Sequence, residues 1–216
     1  MTWRAVAERL RAAGRVVATP AASAGDVGAP YFPNLAALIT RQLPPASNGW
    51  ILVGHSAAGG LLPAIAEALD GQARGALFVD AILPHPGQCW FESAPPALAR
   101  AVAVAVGDGR APPWPDWFAP ATFERLLPDE VQRSAFAAEI RGVPAAYLAE
   151  AAPVAPHWPP AGCAYLQLSE GYGAEAAAAA RRWPVGRLAL DHLAMLTQPA
   201  KVAAAVERAA VDIEAA

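Results

Sequence analysis

Residues 50–69 read WILVGHSAAGGLLPAIAEAL. An apolar run of five ends at Gly54, a serine sits among small residues, and an alanine- and leucine-rich helical pattern follows. This is the layout of a strand, a tight turn and a helix. A turn that sharp holds the Ser56 hydroxyl clear of the backbone above the end of the strand. Gly54, Ala57, Ala58 and Gly59 are small enough to let the turn close. The amides opening the following helix favour negative charge beside the hydroxyl, as needed for an oxyanion formed by serine attack on a carbonyl. The phosphate-cradling patterns G-x-G-x-x-G and G-x-x-x-x-G-K-[ST] are both absent, so a nucleotide-binding turn has no support.

The rest of the chain repeats the strand–helix rhythm. Trp3, Val6 and Leu10 share one face of a helix over residues 3–12, and RVVATP (15–20) reads as a short buried strand. A helix follows at 35–43, then the strand and helix of 50–70 and a strand GALFVD (75–80). Strand-like CAYLQLS (163–169), a helix at 174–183, strand GRLALDH (186–192) and a helix PAKVAAAVERAAVDI close the chain. Alternating short apolar strands and helices predict a mostly parallel central sheet of about five strands, covered by helices on both faces as a three-layer α/β sandwich.

One stretch breaks the rhythm. Residues 84–160 hold over half of the 22 prolines and four of the seven tryptophans, with helical pieces at PPALARAVAVAV and PDEVQRSAFAAEI and no clear strand. The expected division is a core of 1–83 and 161–216, with 84–160 inserted as a helical subdomain.

With 216 residues, 55% hydrophobic and 16% charged, the chain has the composition of a folded domain. A net charge of −3 without a basic run excludes an electrostatic footprint for nucleic acid, leaving a small-molecule partner as the expectation. No apolar stretch is long enough to span a bilayer. Arginines spread through MTWRAVAERLRAAGR leave no export signal, so the cytoplasm is the expected compartment. Cys89 and Cys163 form neither a disulfide framework nor a metal spacing, and no metal or organic cofactor is expected.

A nucleophilic hydroxyl needs a base, and the base an orienting carboxylate. Of the four histidines, His192 ends the last strand before the last helix, where it can reach across to Ser56. His55 neighbours the serine on a tight turn and points away from it; His85 and His157 lie in proline-rich surroundings. Asp80, ending GALFVD, and Glu170, following CAYLQLS, are both placed to hold the imidazole. Asp191, adjacent to His192, points to the other face.

Taken together, VGHSAAGG, LFVDAILPHPG, YLQLSEGY and LDHLAMLTQP resemble the α/β-hydrolase superfamily, in the order serine, acid, histidine, over almost the whole chain. The resemblance implies an esterase-like fold with 84–160 as its lid, Ser56 as nucleophile, His192 as base and the Ala57 N–H as one oxyanion donor. It favours Glu170 over Asp80 as the acid, because the family most often takes its acid from the turn after the strand matching CAYLQLS. The implied substrate is a small, apolar acyl compound, an ester, thioester or lactone. His55, His85, Trp90 and Trp117 are candidates for touching it, although the tryptophans equally suit the lid's own core.

Ala58 stands where the elbow pattern usually has its last glycine. Members of the superfamily also begin with further strands, the last leading into a loop that gives the second oxyanion N–H. This chain opens on the helix after that loop, so the resemblance leaves that donor unassigned and a gap or edge in the sheet that a homo-oligomer would fill. Two other readings share the fold: biosynthetic, cyclase or lyase chemistry, and a binding protein with weakened relict triad residues.

Overall fold

The computed structural model describes residues 2–215. Strand β1 (Trp50–Ser56) extends two residues beyond the apolar run, followed by β2 (Ala73–Ala81), β3 (Gly162–Gln167) and β4 (Val185–Arg187). The helices, in chain order, are α1 (Arg4–Ala12), α2 (Tyr31–Thr40), α3 (Leu62–Ala68), α4 (Trp90–Ser93), α5 (Pro96–Ala105), α6 (Pro120–Leu126), α7 (Glu130–Glu139), α8 (Ala145–Ala149), α9 (Gly173–Ala179), α10 (Ala194–Thr197) and α11 (Pro199–Glu214). The strands form one parallel sheet in the order β1-β2-β3-β4. No helix of the described residues is long and apolar enough to cross a membrane.

The sheet has four strands, where about five were expected. RVVATP is not a strand: a short apolar segment becomes one only beside a strand that takes up its backbone groups, and the sheet ends at β1. The Val17 carbonyl instead accepts the Arg11 guanidinium (2.7 and 3.1 Å), and Val16 is 77% exposed. Val53 of β1 is 40% exposed, as suits an edge strand. The last strand is also shorter than GRLALDH predicted. It stops at Arg187, after which the Leu188 and Leu190 amides bond to the Gln167 and Leu168 carbonyls, carrying the chain past the tip of β3.

Two compact units are present. The larger comprises residues 2–20, 36–84 and 155–215, and holds the whole sheet. Its central strand β2 is buried from Gly75 to Ala81. Gly75 and Gly162 pair in register and lie under Ile213 of α11, where an added Cβ would sit 2.2 and 2.8 Å from the isoleucine Cγ2. Gly54 lies under Leu62 of α3 and pairs with Phe78, three positions from Gly75 and so on the opposite face of the pleat. Helices α3 and α11 therefore cover opposite faces of the sheet, with α1 alongside α11. Phe78 stacks on Trp183 at 5.2 Å.

The smaller unit comprises residues 21–35 and 85–154. It has helices where the sequence predicted them in 95–106 and 128–140, and Asp129 caps α7 by accepting the Gln132 amide at 2.7 Å. Val102, Ala111 and Leu148 form one buried cluster in it, with Trp90, Phe91, Trp117 and Tyr147 packed around them. Helix α2 starts four residues earlier than predicted. Its Tyr31 and Phe32 amides donate to the Glu150 carboxylate (2.8 and 3.0 Å), a cap supplied from more than a hundred residues away that local pattern cannot reveal.

Candidate active site

Every group at the site comes from the carboxyl end of the sheet in the larger unit. Ser56 ends β1 with φ 56° and ψ −130°, a conformation that costs a non-glycine residue about 1–3 kcal/mol and persists only where the surroundings impose it. Gly59 lets the turn pack closely: a Cβ there would lie 2.1 Å from the Ile82 carbonyl, so the turn presses directly against the end of β2. Ala58, at the position where glycine is more usual, is exposed and has room for its methyl group.

Asp80 owes its direction to a bulge. The register pairs His55 with Val79 and Ser56 with Ala81, leaving Asp80 as an extra residue, at φ 44°. Such a bulge re-aims a side chain at a strand end. Tyr165, itself buried, locks the end of β2 beyond it: its hydroxyl donates to the Ala81 carbonyl (2.9 Å) and accepts the Ala81 amide (3.1 Å). Asp80 is fully buried, yet each carboxylate oxygen has two partners. Oδ1 accepts the Leu168 and Ser169 amides (2.8 and 2.9 Å); Oδ2 accepts the Ser169 hydroxyl (2.6 Å) and lies 2.8 Å from His192 Nδ1. Burial alone would raise the Asp80 carboxyl, but hydrogen bonds from His192, Ser169 and Leu168 outweigh it and hold the group below its usual range.

An ionised carboxylate only accepts, so His192 carries its proton on Nδ1 and presents a lone pair at Nε2. That nitrogen is 3.1 Å from Ser56 Oγ, and the histidine is 8% exposed. The carboxylate on His192 is therefore that of Asp80. Glu170, favoured by the resemblance, is exposed at the start of the turn Glu170–Tyr172 after β3 and is not the partner of Nδ1. The turn reaches the site through two other residues: Ser169, which clamps Asp80, and Tyr172. The Tyr172 ring stacks on the His192 imidazole at 4.9 Å and 8°, and its hydroxyl is 3.2 Å from Ser56 Oγ. Sequence reasoning did not single out Tyr172; its only signal was an aromatic residue in a turn at a strand's carboxyl end.

His55 lies in the site but faces away from the serine. Its ring is 4.4 Å from that of His192, and because a carbonyl can only accept, its Nε2–H donates to the His192 carbonyl at 3.0 Å. His55 thus holds the backbone of the residue beside it. Burial, reinforced by the facing His192, pushes His55 down to about 3. In the unfolded chain the same imidazole takes up its proton near pH 6.5. Its stabilising contribution is therefore complete above about pH 6.5 and is lost as pH falls toward 3, with a slope approaching ~1.4 kcal/mol per pH unit. Urea unfolding at pH 7, 5.5 and 4 should show this decline, and His55→Gln should flatten it; an equal decline in the variant would contradict the assignment.

The other candidates for touching substrate belong to the smaller unit. His85 follows Pro84 at its boundary. Trp90 and Trp117, both partly buried, lie against each other at 5.1 Å beside that unit's buried cluster, and the Trp117 indole N–H donates to the Pro112 carbonyl at 2.8 Å. Ala57, exposed, opens a 3-10 turn (Ala57–Leu61) directly after the serine. Among the described residues no group of three His, Cys, Asp or Glu side chains is placed to hold a metal ion.

No protein-family model matches the sequence, and no curated protein is significantly similar to it. Solved structures are similar over nearly the whole chain. An extracellular α/β-hydrolase from a Paenibacillus species superposes with a TM-score of 0.77 at 18% identity, covering 96% of this chain and 93% of its own. Tomato methylketone synthase I, solved with 2-tridecanone, gives 0.68 at 15% identity over 98% and 93%. A methylesterase from Arabidopsis gives 0.61 at 17% identity over 97% and 93%. With a parallel sheet flanked by helices and superposition over nearly the whole length of these structures, the chain has the α/β-hydrolase fold.

Proposed function

We propose that the protein is a serine hydrolase that cleaves a carboxylic ester, thioester or lactone through an acyl-enzyme on Ser56. The observation that carries this reading is the continuous chain from Ser56 Oγ to His192 Nε2 (3.1 Å) and from Nδ1 to Asp80 Oδ2 (2.8 Å), set on a strained turn. In this mechanism Ser56 passes its proton to His192 as Oγ bonds the acyl carbon. The imidazolium, held by Asp80, returns the proton to the leaving oxygen or sulfur. Water, deprotonated by the same histidine, then releases the acid. The Ala57 N–H faces the developing oxyanion.

Structures named as a pyrethroid hydrolase, polyneuridine aldehyde esterase and a methylesterase share the fold, which supports an ester of a small, apolar molecule. Residues 84–160, between β2 and β3, occupy the lid's place in the chain. The free thiols of Cys89 and Cys163 fit a cytoplasmic setting. A second reading, non-hydrolytic chemistry at the same serine, takes its support from the synthase among the structural neighbours.

Hydrolysis of p-nitrophenyl esters from acetate to octanoate tests the proposal. Ser56→Ala should lose about 10³-fold or more of kcat. Labelling of Ser56 by a fluorophosphonate without ester turnover would favour the synthase-like reading, and turnover unchanged by Ser56→Ala would overturn both.

A further inference from the structure

We propose that Tyr172 is a catalytic residue whose hydroxyl donates a hydrogen bond to the reacting oxygens, first Ser56 Oγ and then the carbonyl oxygen as it gains charge. This rests on the serine-hydrolase reading of the same site.

The direction of the bond follows from the proton inventory. Asp80 accepts at both oxygens, so His192 Nδ1 donates and Nε2 accepts. Ser56 has one proton, and it goes to Nε2 at 3.1 Å. The contact at 3.2 Å between Ser56 Oγ and the Tyr172 hydroxyl then has its proton on the tyrosine side. Burial pushes the phenol up to about 12, so it keeps that proton throughout the neutral range.

The placement is built, not incidental. Asp80 anchors the turn carrying Tyr172 through the Leu168 amide and through both the amide and hydroxyl of Ser169, so one carboxylate orients the base and fixes the phenol. The Tyr172 amide reaches back to the Ser169 carbonyl at 3.4 Å, and α9 starts at the next residue. With its ring stacked on the imidazole, Tyr172 brings its hydroxyl to 3.2 Å from the same serine oxygen that His192 Nε2 faces at 3.1 Å. Because Asp80 supplies the carboxylate from β2, the turn after β3 is free to deliver a neutral donor.

In the acylation step the Oγ–carbon bond forms while the carbonyl π pair moves onto oxygen and the serine proton moves to Nε2. The phenol transfers no proton; it shifts its hydrogen bond from Oγ to the neighbouring oxyanion on the same carbon, joining the Ala57 N–H. Collapse returns the pair to the carbonyl as the leaving group departs with the proton from His192. A donor aimed at developing charge in this way is worth on the order of 10²- to 10³-fold in rate. The ring also lies face-on to the imidazole where its positive charge appears, a favourable cation–π arrangement.

The test is Tyr172→Phe in the full chain, which keeps the stacked ring and removes only the hydroxyl. Measured with p-nitrophenyl butyrate, kcat should fall about 100-fold with KM nearly unchanged, and the rate of fluorophosphonate labelling of Ser56 should fall in parallel. The melting temperature should stay within a few degrees of wild type. Tyr172→Leu, which also removes the ring, should lose more. Wild-type turnover and labelling that persist in Tyr172→Phe within twofold would overturn this inference alone. A wild-type chain with neither turnover nor labelling would overturn the hydrolase reading and this inference with it.

Discussion

Asp80→Asn is expected to lower kcat by about 10³- to 10⁴-fold, while Glu170→Gln leaves it within about twofold. The reason lies in how the carboxylate is shared. Oδ1 accepts two backbone amides and Oδ2 faces His192 Nδ1 and the Ser169 hydroxyl. In the Asp80→Asn variant the side-chain carbonyl oxygen must take the Oδ1 place, because the Leu168 and Ser169 amides cannot accept a hydrogen bond. The side-chain NH₂ then faces Nδ1. His192 adopts the opposite tautomer to accept from it, which puts a proton on Nε2 and leaves Ser56 without a base. Steady-state kinetics of both variants on p-nitrophenyl butyrate make the comparison. The reverse result, an active Asp80→Asn beside an inactive Glu170→Gln, would contradict the assignment of the acid.

The second large effect is on stability. Gly59→Ala places a methyl group 2.1 Å from the Ile82 carbonyl and 3.0 Å from the Ala81 Cβ. Both residues follow directly on Asp80, and Ile82 is itself tied to the serine carbonyl through its amide at 3.1 Å. Relief therefore requires the elbow to move away from the end of β2, which breaks that bond and opens the Ser56–His192–Asp80 chain. Overpacking of this kind costs about 3 kcal/mol, which for a chain of this size lowers the melting temperature by roughly 6–12 °C. Thermal melting monitored by circular dichroism reads this directly. A variant that melts with the wild type would mean the turn can relax without disturbing β2.

The strand–turn–helix around Ser56 was legible because all its information is local: an apolar run, small residues where the turn must close, and a helical pattern with Pro63 in the first turn. His192 was legible from its place after the last apolar segment. What failed to show depended on other parts of the chain. RVVATP has the composition of a strand, but a strand is a pairing, and this segment has none at the β1 edge. The choice between Asp80 and Glu170 turned on one extra residue in β2, a bulge that aims Asp80 at His192. Once the Ser169 amide and hydroxyl close on that carboxylate, the following turn carries Glu170 to the surface and Tyr172 to the serine. None of these outcomes has a periodicity, so each became visible only when the strand ends were brought together.

The acyl-enzyme on Ser56 can be trapped and weighed. The protein is mixed with p-nitrophenyl butyrate, quenched in acid within the first turnover, digested and weighed. The expected result is a gain of one butyryl group on the peptide that contains Ser56, with a matching burst of p-nitrophenol, and no adduct from Ser56→Ala. Turnover without any adduct, or an adduct on another residue, would contradict it.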